Sequence, residues 1–170
     1  AHFGTKALLV TGKRSALASG AQADVLAALE EMGIEAVVFS AIEENPSVET
    51  VKAAAAFGLA EGADFVIGIG GGSPLDASKA IAMVMRQPKL LKGSLFGLKP
   101  MKALPVIAIP TTSGTGSEVT PYAILTDHSD QTKKNLGQRI YPKMALLDPA
   151  YTYSLSEQVT LHTAIDAFTH

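Results

Sequence analysis

Short apolar runs alternate along the chain with longer segments in which apolar positions recur every three or four residues. The first pattern predicts strands buried on both faces, and the second predicts the helices that cross between them. Ala7-Leu8-Leu9-Val10 reads as the opening strand. Gly20 to Met32 carries apolar residues at Val25, Leu26, Ala28 and Leu29, and stops at Gly33, a helix ended by a left-handed cap. Glu35 to Phe39 is a second strand. The alanine-rich run after Asn45-Pro46-Ser47, as far as Gly62, is a helix with Ser47 as its N-cap. Asp64 to Ile69 is a third strand, broken by Gly70-Gly71-Gly72-Ser73, and Pro74 to Met85 then has helical periodicity, with the proline in the first turn. Pro105 to Pro110 is a fourth strand and Met144 to Leu147 a later one, while Thr111 to Glu118 and Thr126 to Tyr141 are polar and turn-rich. This alternation predicts a doubly wound, mostly parallel α/β sheet.

Composition narrows the function classes. The chain has 170 residues, enough for one domain that buries roughly 70% of its unfolded surface. It has no cysteine, which excludes disulfides, thiolate metal sites and a thiol nucleophile. Fourteen basic against sixteen acidic residues leave no basic footprint for nucleic acid. The apolar fraction of 47% is high, yet no run approaches the ~18 residues of a membrane span, and the start lacks the pattern of a signal peptide. The expectation is a cytoplasmic protein with neither a nucleic-acid nor a membrane partner.

Three segments carry candidate chemistry. Ile67-Gly68-Ile69-Gly70-Gly71-Gly72-Ser73-Pro74-Leu75-Asp76 places a glycine turn between a strand and a helix start, where free N–H groups and the helix dipole attract a phosphate. Ser73 stands where the usual dinucleotide motif has its last glycine, and Lys79 is too distant for a P-loop. Pro110-Thr111-Thr112-Ser113-Gly114-Thr115-Gly116-Ser117-Glu118 also follows a strand, so both loops fall on the carboxyl edge of the sheet, where such folds bind ligands. Asp166 and His170 are four residues apart and share a helix face, where they can grip a divalent metal. Taken singly, these segments also read as a tight turn, a solvated loop and a helix-terminal ion pair.

Together, Gly70 to Lys79, Ile109 to Thr120, Leu147-Asp148-Pro149 and Asp166 to His170 resemble the iron-containing (group III) alcohol dehydrogenases, relatives of the glycerol dehydrogenases and dehydroquinate synthases. The resemblance implies a Rossmann-like fold of the dehydroquinate synthase-like N-terminal kind. It also implies hydride transfer between a small alcohol or aldehyde and a nicotinamide dinucleotide, with a metal polarising the substrate oxygen. By position, Gly71, Gly72 and Ser73 hold the pyrophosphate with Asn45 alongside, and Asp76 and Lys79 lie near the nicotinamide half. Thr111, Thr112, Thr115 and Thr120 line the rest of the groove. Lys133, after the Thr126-Asp127 turn, matches a further cofactor contact, and Asp166 and His170 match the first two metal ligands, for Fe2+ or Zn2+.

Two departures from the family shape the expectation. Where many members carry an aspartate that binds the adenosine ribose, this sequence reads Val10-Thr11-Gly12-Lys13-Arg14-Ser15. Gly12 removes a repelling charge while Lys13, Arg14 and Ser15 add donors suited to a 2′-phosphate, so NADP(H) is expected over NAD(H). The family's two downstream metal-binding histidines have no counterpart, since His2, His128 and His162 match neither. Residues 1–155 are therefore expected to form the dinucleotide-binding domain, and 156–170 to open a truncated helical metal-binding domain. Leu161, Ile165 and Phe168 should then be exposed, and self-association, a homo-oligomer included, is expected. The competing expectations are a stand-alone nucleotide-binding module without catalysis and a phosphotransferase.

Overall fold

The computed structural model describes residues 3–169. Strand β1 (Lys6–Gly12) leads through a short helix α1 (Ser15–Ala18) and helix α2 (Ala21–Glu31) to β2 (Glu35–Ile42). Helix α3 (Val48–Ala60), β3 (Phe65–Gly70), α4 (Gly72–Arg86) and β4 (Val106–Pro110) follow. The chain then makes a hairpin of β5 (Ile124–Asp127) and β6 (Thr132–Asn135), a short β7 (Met144–Ala145) and a final helix α5 (Glu157–Thr169). The main sheet has the order β2-β1-β3-β4-β7, and every pairing in it is parallel.

Side-chain alternation sorts the core into two layers. Leu8, Val10, Val66 and Val106 pack under α3 and α4, while Ala7, Leu9, Ile67, Ile69 and Ile109 face α1 and α2. All six residues of β3 are buried, as a strand covered on both faces requires. Ser47 caps α3 by accepting a hydrogen bond from the Thr50 amide at 3.1 Å, and Gly33 closes α2 with φ +66°. The doubly wound, mostly parallel α/β sheet expected from the sequence is present. No described helix is long and apolar enough to cross a membrane.

Several boundaries differ from the sequence reading. Helix α4 begins at Gly72, two residues before Pro74, because glycine and serine continue the turn into helical geometry. The strand expected over Met144 to Leu147 pairs with β4 only through Met144 and Ala145. The stretch read as turn-rich from Thr126 contains the antiparallel hairpin, with Thr126 opposite Lys133, so Thr126-Asp127 is strand and the turn lies at 128–131. Lys13-Arg14-Ser15 runs straight into α1, which four residues of helix were too short to signal.

Asp64, just before β3, ties the sheet to the chain start. Its carboxylate accepts from the amides of Thr5 and Lys6 at 2.9–3.0 Å and from the Thr5 hydroxyl at 3.1 Å. Partial burial acts to raise the Asp64 carboxyl, but the amides of Lys6 and Thr5 outweigh it and hold the group below its ordinary 3.8. A depressed folded value gives stability that is present above 3.8 and lost as pH falls through the lowered value. Asp64→Asn is therefore expected to cost roughly 1 kcal/mol at pH 7, with the gap to wild type closing in acid. Urea unfolding from neutral pH to about pH 2 measures this; a gap independent of pH contradicts it.

Candidate active site

The carboxyl ends of β1, β3 and β4 bring the glycine turn, the threonine-glycine loop and the Gly12–Ser15 segment to one edge of the sheet. At the N-terminus of α4 no side chain caps the helix, and Gly71 and Gly72 leave the backbone bare. The fit there is close. A Cβ on Gly72 would lie 3.0 Å from Thr115 Cγ2, and one on Gly71 would lie 3.3 Å from Thr112 Oγ1. A helix N-terminus that is uncapped and free of side chains presents N–H donors and positive dipole to an anion.

Beside this turn lies a cavity of about 610 Å³. Of the residues expected from sequence, Asn45, Gly72, Ser73 and Asp76 form one wall, and Thr115, Thr120, Lys133 and Asp166 contribute to the rest. Asn45 has φ +55° and is held from both sides: its amide donates to Ser73 Oγ at 3.2 Å, and its carbonyl accepts from Thr126 Oγ1 at 3.0 Å. Sequence reasoning missed Tyr122 and Ile124, which also line the cavity, because the hairpin that delivers them was not foreseen.

A smaller recess of about 370 Å³ opens on the other side of the threonine-glycine loop, lined by Thr112, Ser113, Leu147 and Asp148 among others. Gly12, Lys13, Arg14 and Ser15 stand outside both hollows but adjoin the turn. A Cβ on Gly12 would lie 3.9 Å from Pro74 Cγ, and one on Gly70 would lie 3.4 Å from Ser15 Oγ. Lys13 and Arg14 are exposed.

Two residues expected at the cofactor are buried. Thr111 lies beneath the groove, almost fully buried. Its amide extends the β3–β4 ladder by donating to the Gly70 carbonyl at 2.9 Å, and its hydroxyl has no hydrogen-bond partner among the described residues. Lys79, expected near the nicotinamide half, is fully buried and does not line the cavity. Its ammonium donates to the Tyr122 carbonyl at 2.6 Å and to Ser117 Oγ at 2.9 Å, and stands 3.5 Å from Asp76 Oδ1. Burial pushes the Lys79 ammonium down, and the Asp76 carboxylate beside it opposes that shift. Asp76 does line the cavity, yet Oδ1 accepts from Ser117 Oγ at 2.6 Å and Oδ2 from the Ile124 amide at 2.9 Å, so its carboxylate holds the protein together.

Asp166 reaches the cavity because α5 packs against the threonine-glycine loop: a Cβ on Gly114 would lie 2.4 Å from the Thr163 carbonyl oxygen. His170, the second expected ligand, lies outside the described residues. Among the described residues no group of three His, Cys, Asp or Glu side chains is placed to hold a metal ion. Helix α5 buries none of its side chains, and Leu161, Ile165 and Phe168 are exposed.

Residues 1–149 match the family model for iron-containing alcohol dehydrogenases. The chain belongs to the iron-containing alcohol dehydrogenase family. Its fold is similar to the crystal structure of the iron-containing alcohol dehydrogenase of Thermotoga maritima, with a TM-score of 0.91, 43% identity, and coverage of 99% of this chain and 46% of that one. It is also similar to the NADH-dependent butanol dehydrogenase A of the same organism, with a TM-score of 0.89, 30% identity, and coverage of 97% of this chain and 42% of the other. The NADPH-dependent butanol dehydrogenase of Clostridium saccharobutylicum is 36% identical over 172 residues, 98% of this chain and 44% of that protein. The chain thus spans less than half the length of these relatives.

Proposed function

We propose that the chain is the nucleotide-binding part of an NADP(H)-dependent, metal-dependent alcohol dehydrogenase or aldehyde reductase. The carrying observation is the cavity of about 610 Å³ that joins the bare N-terminus of α4 to Asp166. In this reading the pyrophosphate lies on the amides of Gly72 and Ser73, where any side chain at Gly72 would crowd Thr115. Asn45, its backbone fixed by Ser73 and Thr126, lies alongside the pyrophosphate, and the nicotinamide occupies the cavity toward Asp166. The adenosine half runs toward Gly12–Ser15. Residues 1–155 form the cofactor-binding unit and 156–170 begin a helical unit.

The chemistry is exchange of a hydride between the alcohol carbon and the nicotinamide, with the hydroxyl proton lost on oxidation. A bound Fe2+ or Zn2+ supplies a Lewis acid for the substrate oxygen. The described residues offer it one ligand, Asp166, and the resemblance adds His170. What this chain does by itself is hold the dinucleotide and present one face of its nicotinamide to the cavity.

Relatives are named for either coenzyme, so the preference rests on the chain's own residues. Gly12 carries no carboxylate to repel a 2′-phosphate, and Lys13 and Arg14 are exposed next to it. NADPH is expected to bind at least about tenfold more tightly than NADH, and the double variant Lys13→Ala/Arg14→Ala to lose about 10- to 100-fold in NADPH affinity with little change for NADH. Fluorescence titration with both coenzymes tests this. Equal or tighter NADH binding removes the NADP(H) preference, and absence of binding by either removes the cofactor site.

A further inference from the structure

We infer that Lys79 is a positioning residue for the cofactor site, fixing the threonine-glycine loop against α4 at the separation that the dinucleotide requires. This rests on the cofactor-binding reading above. Lys79 sits two turns into α4 with its side chain fully buried, where an apolar residue would fill the space without desolvating a charge. Two of its contacts, Ser117 Oγ at 2.9 Å and the Tyr122 carbonyl at 2.6 Å, lie in the irregular stretch between β4 and β5. Its third partner, Asp76, binds Ser117 Oγ and the Ile124 amide, so one cation and one carboxylate tie two points of that stretch and the first residue of β5 to a single helix turn.

The loop has no helix or strand from 111 to 123: backbone bonds to Gly70 and Leu136 pin its ends, and inside it the amides of Ser117 and Val119 bond only within the loop, to Thr115 and Gly116. Its position nevertheless sets two tight approaches that bound the cavity: Thr115 over Gly72 on one side, and Gly114 under the Thr163 carbonyl on the other. Displacing Ser117 moves both. Lys79 therefore acts on the cofactor through Ser117 and Tyr122 without touching it.

Lys79→Met removes the donors while keeping the bulk, and Lys79→Gln keeps a donor without the charge. In the folded protein, affinity for reduced coenzyme is expected to fall about tenfold or more in Lys79→Met, with Lys79→Gln between it and wild type. Ser117→Ala should weaken binding severalfold in wild type and cost nothing further in Lys79→Met, since a shared path makes the effects non-additive. Without coenzyme, amide hydrogen exchange over 113–120 should quicken in Lys79→Met while that of β1 and β3 is retained. A folded Lys79→Met that binds coenzyme within twofold of wild type overturns the inference, as do additive losses. If Lys79→Met does not fold, the cycle between Lys79→Gln and Ser117→Ala decides by the same criterion. If wild type binds neither coenzyme, the functional reading fails, and exchange in the loop still tests the clamp.

Discussion

Replacing Gly114 with valine is expected to detach α5 from the threonine-glycine loop and lower coenzyme affinity by about two orders of magnitude. Two penalties coincide at this position. Its φ of +139° is one that a β-branched residue adopts only under strain, and its Cβ would meet the Thr163 carbonyl oxygen at 2.4 Å and the Thr163 carbonyl carbon at 3.2 Å. Both atoms are backbone, so no side-chain rotation relieves the contact, and the sum is of order 2–6 kcal/mol. Because α5 buries no side chain, withdrawal of that helix is the cheapest relief, and the sheet should melt within a few degrees of wild type. Asp166 would leave the cavity wall with it. Gly137→Ala is the control: its φ is +70° but nothing lies within 4 Å of its Cβ, so it should show only the conformational cost, ~1 kcal/mol. Limited proteolysis of 157–169 beside coenzyme titration reads both effects. A valine variant with α5 as protected as in wild type would show that the approach of Gly114 to Thr163 does not hold the helix.

Gly68→Ala should be the most damaging single-methyl change in the core. Gly68 lies in the middle of β3, in register with Val10 of β1 and Ala108 of β4, and its Cβ would stand 2.3 Å from Ser78 Oγ and 3.0 Å from Ser78 Cβ. Rotating the hydroxyl would sacrifice its 2.6 Å hydrogen bond to the Pro74 carbonyl and still leave the Cβ contact, which belongs to the frame of α4. The helix has to rise off the sheet, carrying Gly72 and Ser73 with it. The expected cost is about 2–4 kcal/mol, or roughly 5–15 °C in melting temperature for a domain of this size. Adding Ser78→Gly removes the opposing atoms. The double variant should be more stable than Gly68→Ala alone, even though glycine in a helix itself costs ~1 kcal/mol. Calorimetry of the two variants decides, and a further loss on adding Ser78→Gly would mean that helix-to-sheet spacing is not the cause.

What the sequence made legible had strong local signals. β3 could be read because a strand covered on both faces must be continuously apolar, and α3 because Ser47 announces its start and Gly62 its end. The glycine turn was readable for a similar reason, since its residues serve a local backbone purpose. The hairpin was not legible: β6 is Thr132-Lys133-Lys134-Asn135, largely exposed, with no alternation to betray it. The burial of Lys79 was hidden for a related reason. The resemblance sets it near the nicotinamide half, and only the fold of a loop some forty residues further on makes its ammonium a buried clamp. Thr111 is set in the groove by the resemblance; its burial could not be read locally, because it depends on the residue after a central strand continuing the ladder to Gly70.

The strand order has a bearing on how the protein comes to be made. With β2-β1-β3-β4-β7 as the sequence across the sheet, β1 and β2 are the first neighbours in both chain and space, and β3 then joins the free side of β1. β4 adds beyond β3, and β7 beyond β4. Of these five strands, each one after β1 therefore meets an edge that is already in place, and none has to be threaded between two that have paired. The crossover helix that precedes β3, and the one that precedes β4, emerge just ahead of the strands they deliver. A nascent chain can thus extend this sheet outward in the order of synthesis, with the loops after β1 and β3 both present before β4 and β7 arrive.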